Sequence, residues 1–196
     1  NFTSPAFVAR VNYHGVKGLR VGASFYYNQT AKNGTKPWRN TGYKFPVTIV
    51  TGDLQYKGFN NNLIVRGNAV YGNLGASGAL TTINNSSSAA SGYPNTTVAQ
   101  NAVSYGGEAG YNIGSFFHSK APRIYPFIRY EYYNPMEKTE ANTGLLADKR
   151  FQVSAVTAGL NYYALPNLVI KADYTHRSIG CLLYTSPSPR DAHESR

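Results

Sequence analysis

Ten charged residues, Arg10, Arg20, Asp53, Arg66, Glu108, Arg129, Glu131, Lys171, Asp173 and Arg177, lie inside stretches where polar and apolar residues alternate. Successive side chains of an extended chain point to opposite faces, so residues two apart share one face. Split by parity, each of these stretches puts its charges on a single face and leaves the other without formal charge. Such residues line a wetted surface, and the chemistry open to them is electrostatic sorting of solutes. Six are basic and four acidic, and basic side chains along a low-dielectric wall lower the entry barrier for anions. The competing role for any one of them is cross-strand ion pairing. Arg129 with Glu131, and Lys171 with Asp173, are two apart and are expected to neutralise each other in part.

Catalysis has little support in the same residues. His14 and His118 fall in short turns, and His176 falls on the uncharged face. No Ser or carboxylate is spaced to complete a triad with them. No Cys/His cluster suggests zinc, and EF-hand and phosphate-binding loop motifs are absent. The expectation is a non-enzyme without a cofactor. A barrel-embedded hydrolase using His176, and a plugged structural or adhesive barrel, are the competing classes.

The elements that carry these charges read as eight strands: 7–13, 19–28, 47–56, 63–73, 103–113, 124–133, 154–163 and 168–177. Most are close to the 9–11 tilted residues that cross a bilayer as a strand. The uncharged face mixes Ala and Gly with aromatics near the strand ends. Tyr13, Tyr56, Tyr111 and Tyr162 mark one end; Phe25, Tyr71, Tyr132 and Tyr174 mark the other. Two aromatic girdles around a band of small and medium apolar residues suit a lipid-facing wall, with ring bodies in lipid and hydroxyls in headgroup water. The connections alternate. HGVKG, KGFNN, GSFFHSKAPR and ALPN are short, and the segments between them are long. This is the pattern of tight periplasmic turns and longer outer loops. The fold expected is therefore all-β: an antiparallel transmembrane β-barrel, in the bacterial outer membrane, with about eight strands present of a larger barrel.

The whole-chain totals agree. The 196 residues carry a net charge of +10, with 17 Tyr, 19 Gly and only 14% charged residues. No apolar run is long enough for a transmembrane helix. The first long loop holds Lys32, Lys36, Arg39 and Lys44 around Trp38. It reads as a solvated loop, with lipopolysaccharide phosphates or a narrowed pore as the sharper alternatives. No helix offers a basic face for nucleic acid. The Ser/Asn/Gly-rich segment 80–101 reads as a loop.

The first strand runs toward a short turn and the eighth leaves one, so both free ends fall on the long-loop side. Single-chain barrels have even strand numbers and normally keep both termini in the periplasm. The expectation is thus a fragment of a barrel with ten strands or more. Residues 1–180 form the partial barrel. The ending CLLYTSPSPRDAHESR breaks the pattern and holds the sole Cys, Cys181. Its first eleven residues resemble, codon by codon, a transposase-end adapter used in sequencing libraries. Segment 181–196 is accordingly set apart as non-native; without it the charge remains +10.

Two stretches, YPFIRYEYYN (125–134) and AGLNYYALPNLVIKADY (158–174), resemble strands near the C-terminus of porins of the phosphate-selective porin O/P type. The likeness covers about 50 residues closely and the rest by pattern. It implies a large outer-membrane barrel, often a homotrimer, that passes small anions. Its implied partners are outer-membrane lipid and lipopolysaccharide together with small anionic or neutral solutes. The family's phosphate constriction comes largely from an earlier part of the chain, so no phosphate site is carried over.

Overall fold

The computed structural model describes residues 4–30, 42, 44–86, 97–117, 122–141, 143–165 and 167–180. Alternation becomes eight antiparallel strands: β1 (Phe7–Tyr13), β2 (Leu19–Gln29), β3 (Pro46–Gly58), β4 (Leu63–Leu74), β5 (Asn101–Tyr111), β6 (Arg123–Lys138), β7 (Val153–Leu165) and β8 (Leu168–Ile179). They form one meander in which each strand pairs with its sequence neighbours. The sheet is open. β1 and β8 are its edges, and every residue of both strands is exposed. An open eight-stranded sheet of this kind is consistent with part of a larger barrel.

The short connections, 14–18, 59–62, 112–122 and 166–167, all fall at one end of the sheet, and the long ones, 30–45, 75–100 and 139–152, at the other. The short-turn end is knitted together. Asn112 donates its backbone N–H to the Asn62 carbonyl (2.7 Å) and its side-chain amide to Asn62 Oδ1 (3.0 Å). Tyr125, buried on β6, donates its hydroxyl to the Asn61 carbonyl (2.8 Å).

The long-loop end holds the main departure from the sequence reading. The segment expected to be a loop from residue 80 begins with a helix, α1 (Ser77–Ser86). Its Ser, Thr and Asn residues favour caps and turns over helix interiors, so contacts from other segments hold it. The Gly78 N–H donates to Glu140 Oε2 (2.5 Å), and the Val98 N–H to Thr81 Oγ1 (2.9 Å). In the next loop, hydrogen bonds from the Arg150 side chain and then from its backbone N–H hold the Asp148 carboxyl below the ordinary aspartate range.

The fold has almost no interior. Phe45, Tyr125 and Val153 are the buried hydrophobic residues among those described. Among the described residues no second layer covers either face of the sheet along β1–β8, and large side chains such as Ile128 (58%) and Ile170 (58%) stand exposed.

Candidate functional site

Cross-strand register decides which charges meet. One rung of direct neighbours, from β1 to β8, reads Asn12, Gly22, Asp53, Asn68, Gly106, Glu131, Ala155 and Arg177. The next rung on the same face, nearer the short turns, reads Arg20, Gln55, Arg66, Glu108, Arg129, Thr157 and Thr175 from β2 to β8. Seven of the ten expected charges thus occupy two adjacent rungs. Arg10 lies one rung further toward the long loops, opposite Ser24.

Two ion-pair clusters follow. Arg10 Nη2 reaches Asp53 Oδ2 at 2.6 Å, and Arg20 Nη2 lies 3.6 Å from Asp53 Oδ1. Arg10 must cross β2 to do so, and it crosses above Gly22. A Cβ at Gly22 would fall on Arg10 Nη2 and Asp53 Oδ2. Ser24 Oγ (2.9 Å) and Asn12 Oδ1 (3.1 Å) accept from the rest of the guanidinium. In the second cluster Glu108 takes Arg129 at 2.8 Å and Arg66 at 3.4 Å. Glu131 lies 3.9 Å from Arg129. Exposed or half-exposed pairs of this kind contribute about 0.2–1 kcal/mol each, so the clusters position charge more than they hold the fold.

The expected Arg129–Glu131 pairing is therefore secondary to Arg129–Glu108. Direct cross-strand neighbours lie about 5 Å apart, while residues two apart on one strand lie about 6.6 Å apart. The expected neutralisation of Lys171 by Asp173 does not form: neither makes an ion pair among the described residues. Both sit off the two rungs, opposite Asn161 and Gly159. Arg177 also lacks a carboxylate there, and donates from Nη2 to the Tyr133 hydroxyl (2.7 Å). On the two rungs and Arg10, five arginines face three carboxylates (five minus three leaves +2). Eight of these polar and charged side chains, from Arg20 to Glu131, border a cavity of about 330 Å³ on the charged face. A second cavity of about 330 Å³ at the short turns is bordered by His14, Lys17, Arg20 and Lys57. Lys57 lies one residue past the end of the third strand expected from sequence, and the observed β3 includes it.

The opposite face carries the aromatics. All eight girdle residues, Tyr13, Phe25, Tyr56, Tyr71, Tyr111, Tyr132, Tyr162 and Tyr174, have the outward parity in the observed register. At the long-loop end, however, the strands run past them, to Gln29, Leu74, Lys138 and Ile179. The outward face turns polar there. Asn73 donates to Asn101 Oδ1 (2.9 Å), and Asn101 donates to the Tyr71 hydroxyl (2.7 Å). A register shift between Asn101 and Val103 accompanies the extension of β6. It brings Glu137 to a groove bordered by outward residues. The uncharged outward face therefore holds for the strand lengths read from sequence, and ends where β6 runs on to Glu137 and Lys138.

Among the described residues no group of His, Cys, Asp and Glu could hold a metal. His176 lies on the outward face opposite Val156. His118, most of the basic first loop (Lys32, Lys36, Trp38 and Arg39) and all of 181–196 lie outside the described residues, while Lys44 is exposed. Comparison with protein-family models, with curated proteins and with solved structures finds no match.

Proposed function

We propose that this chain is part of the wall of an outer-membrane porin through which small hydrophilic solutes diffuse, with a mild preference for anions. The observation that carries the reading is the division of one sheet into a charged face and an apolar face that no described residue covers. A water-soluble protein rarely leaves a contiguous apolar patch beyond a few hundred Å² exposed. Here outward apolar residues such as Val50, Ile128, Leu160 and Ile170 stand exposed on neighbouring parts of one face, and hydrocarbon is the phase that suits them. The polar rim of Asn73, Asn101 and the Tyr71 hydroxyl suits the headgroup boundary. The ion-paired rungs suit a water-filled lumen, and their +2 excess supports the anion preference. In this reading the partners are lipid, lipopolysaccharide and small anionic or neutral solutes, with the homotrimer implied by the resemblance to porins of the O/P type.

The test is reconstitution into planar bilayers and liposomes, with a hydrolysis assay run in parallel. Conductance with a reversal potential of anion-selective sign is the expected result. Stable insertion without conductance would favour a structural barrel. Hydrolysis lost on His176→Ala, without conductance, would favour the enzyme.

A further inference from the structure

Two opposite charges on the charged face stand near each other without pairing. Glu131 on β6 and Arg177 on β8 share one rung, with Ala155 of β7 between them. Arg177 Nη2 donates across β7 to the hydroxyl of Tyr133 (2.7 Å), two residues from Glu131 on β6. It forms no ion pair among the described residues. Glu131 has a single one there, to Arg129 at 3.9 Å, and its side chain is 54% exposed. Arg129 is committed elsewhere, giving Glu108 Oε2 two closer bonds, from Nε (2.9 Å) and Nη2 (2.8 Å). Glu131 and Arg177 border a cavity of about 290 Å³ together with Asn68, Ser104, Tyr133 and Ala155. Gly106, the neighbour of Glu131 on β5, adds no side chain to it.

We infer that this gap binds a small zwitterion, a solute that carries both a carboxylate and an ammonium, as a free amino acid does. The inference rests on the porin reading, which brings such solutes past this face, and it names their class. The solute's carboxylate takes the Arg177 guanidinium and its ammonium takes Glu131, each through a charge-assisted hydrogen bond. Asn68 and Ser104 carry donors and acceptors for the polar remainder. A simple anion gains from Arg177 and is repelled by Glu131; a simple cation meets the reverse. A solute with both charges gains at both ends. The +2 excess of the wall acts on net charge, so it does not tell a zwitterion from an uncharged solute. The gap does.

The experiment titrates the full chain in detergent micelles with L-alanine, L-lactate and ethylamine, and reads binding by saturation-transfer NMR. Lactate lacks the ammonium, and ethylamine lacks the carboxylate. Conductance in planar bilayers is scored separately. Alanine should bind about fivefold more tightly than either, the upper end for one exposed charge contact. Glu131→Gln should remove the advantage over lactate and keep that over ethylamine. Arg177→Gln should do the opposite, and both variants should keep the far-ultraviolet spectrum of the sheet. Equal binding of the three probes, or no binding of alanine, would overturn the inference. So would an advantage that survives both substitutions. A chain that conducts without preferring alanine refutes the gap alone. A chain that prefers alanine in micelles but never conducts refutes the porin reading alone.

Discussion

Replacing Glu108 by Gln removes one negative charge and keeps the shape of the side chain. Glu108 is the acceptor between two guanidiniums, 2.8 Å from Arg129 and 3.4 Å from Arg66, and its side chain is 18% exposed. The two rungs and Arg10 then carry five cations against two anions, and their excess rises from +2 to +3. One unit charge acting on an ion about 7 Å away in water is worth about 0.6 kcal/mol. Screening at 0.1 M salt, with a Debye length of about 10 Å, reduces this to about 0.3 kcal/mol. The anion gains and the cation loses that amount, so the chloride-to-potassium permeability ratio should rise about threefold. Reversal potentials in a potassium chloride gradient read the ratio directly. The fold should lose no more than about 1–2 kcal/mol, the sum for two weak pairs. An unchanged ratio in a conducting, normally folded variant would refute the argument, and so would a shift toward potassium. Either result would mean that permeating ions do not pass the face on which Glu108 lies.

Gly22→Ala puts a methyl in the path by which Arg10 reaches Asp53; stability to urea in micelles should fall by about 1 kcal/mol, and by much less in an Asp53→Asn background. Glu140→Ala removes the acceptor of the Gly78 N–H at the start of α1. Hydrogen exchange at Gly78 should quicken about fivefold, as for loss of a net hydrogen bond of about 1 kcal/mol, while the amides of β3–β6 stay protected.

Strand existence and facing were legible because the apolar band imposes a period of two on every strand, as in Leu63 to Tyr71 of β4, where no described layer disturbs the pattern. β1 agrees with its expected bounds to the residue. The end of β6 was not legible, because Asn134-Pro135 reads as a stop. The structure accommodates Pro135 near a register shift, where a missing N–H costs little. α1 was hidden for another reason: its hydrogen bonds come from Glu140 and Val98, distant in sequence, and no local propensity reports them. At the candidate site, parity gave the shared face of the ten charges. It could not give their partners, since the Glu108 pairs depend on how β4, β5 and β6 are aligned. Arg10 over Gly22 depends likewise on three strands at once.

The early placement of the long-loop aromatics on their strands sets a thickness. Outward residues run from Leu63 to Tyr71 on β4 and from Ile124 to Tyr132 on β6, eight residue steps in each case (71 − 63 and 132 − 124). At about 3.3 Å per step this is about 26 Å along the strand, and a tilt of about 40° brings it to about 20 Å across the membrane. That is thinner than an average hydrocarbon core of about 30 Å. In the porin reading, lipid against this wall must compress, at a fraction of a kcal/mol for each ångström of mismatch. The chain would therefore enter short-chain bilayers more readily than long-chain ones, and in a membrane of mixed thickness it would collect in the thinner regions.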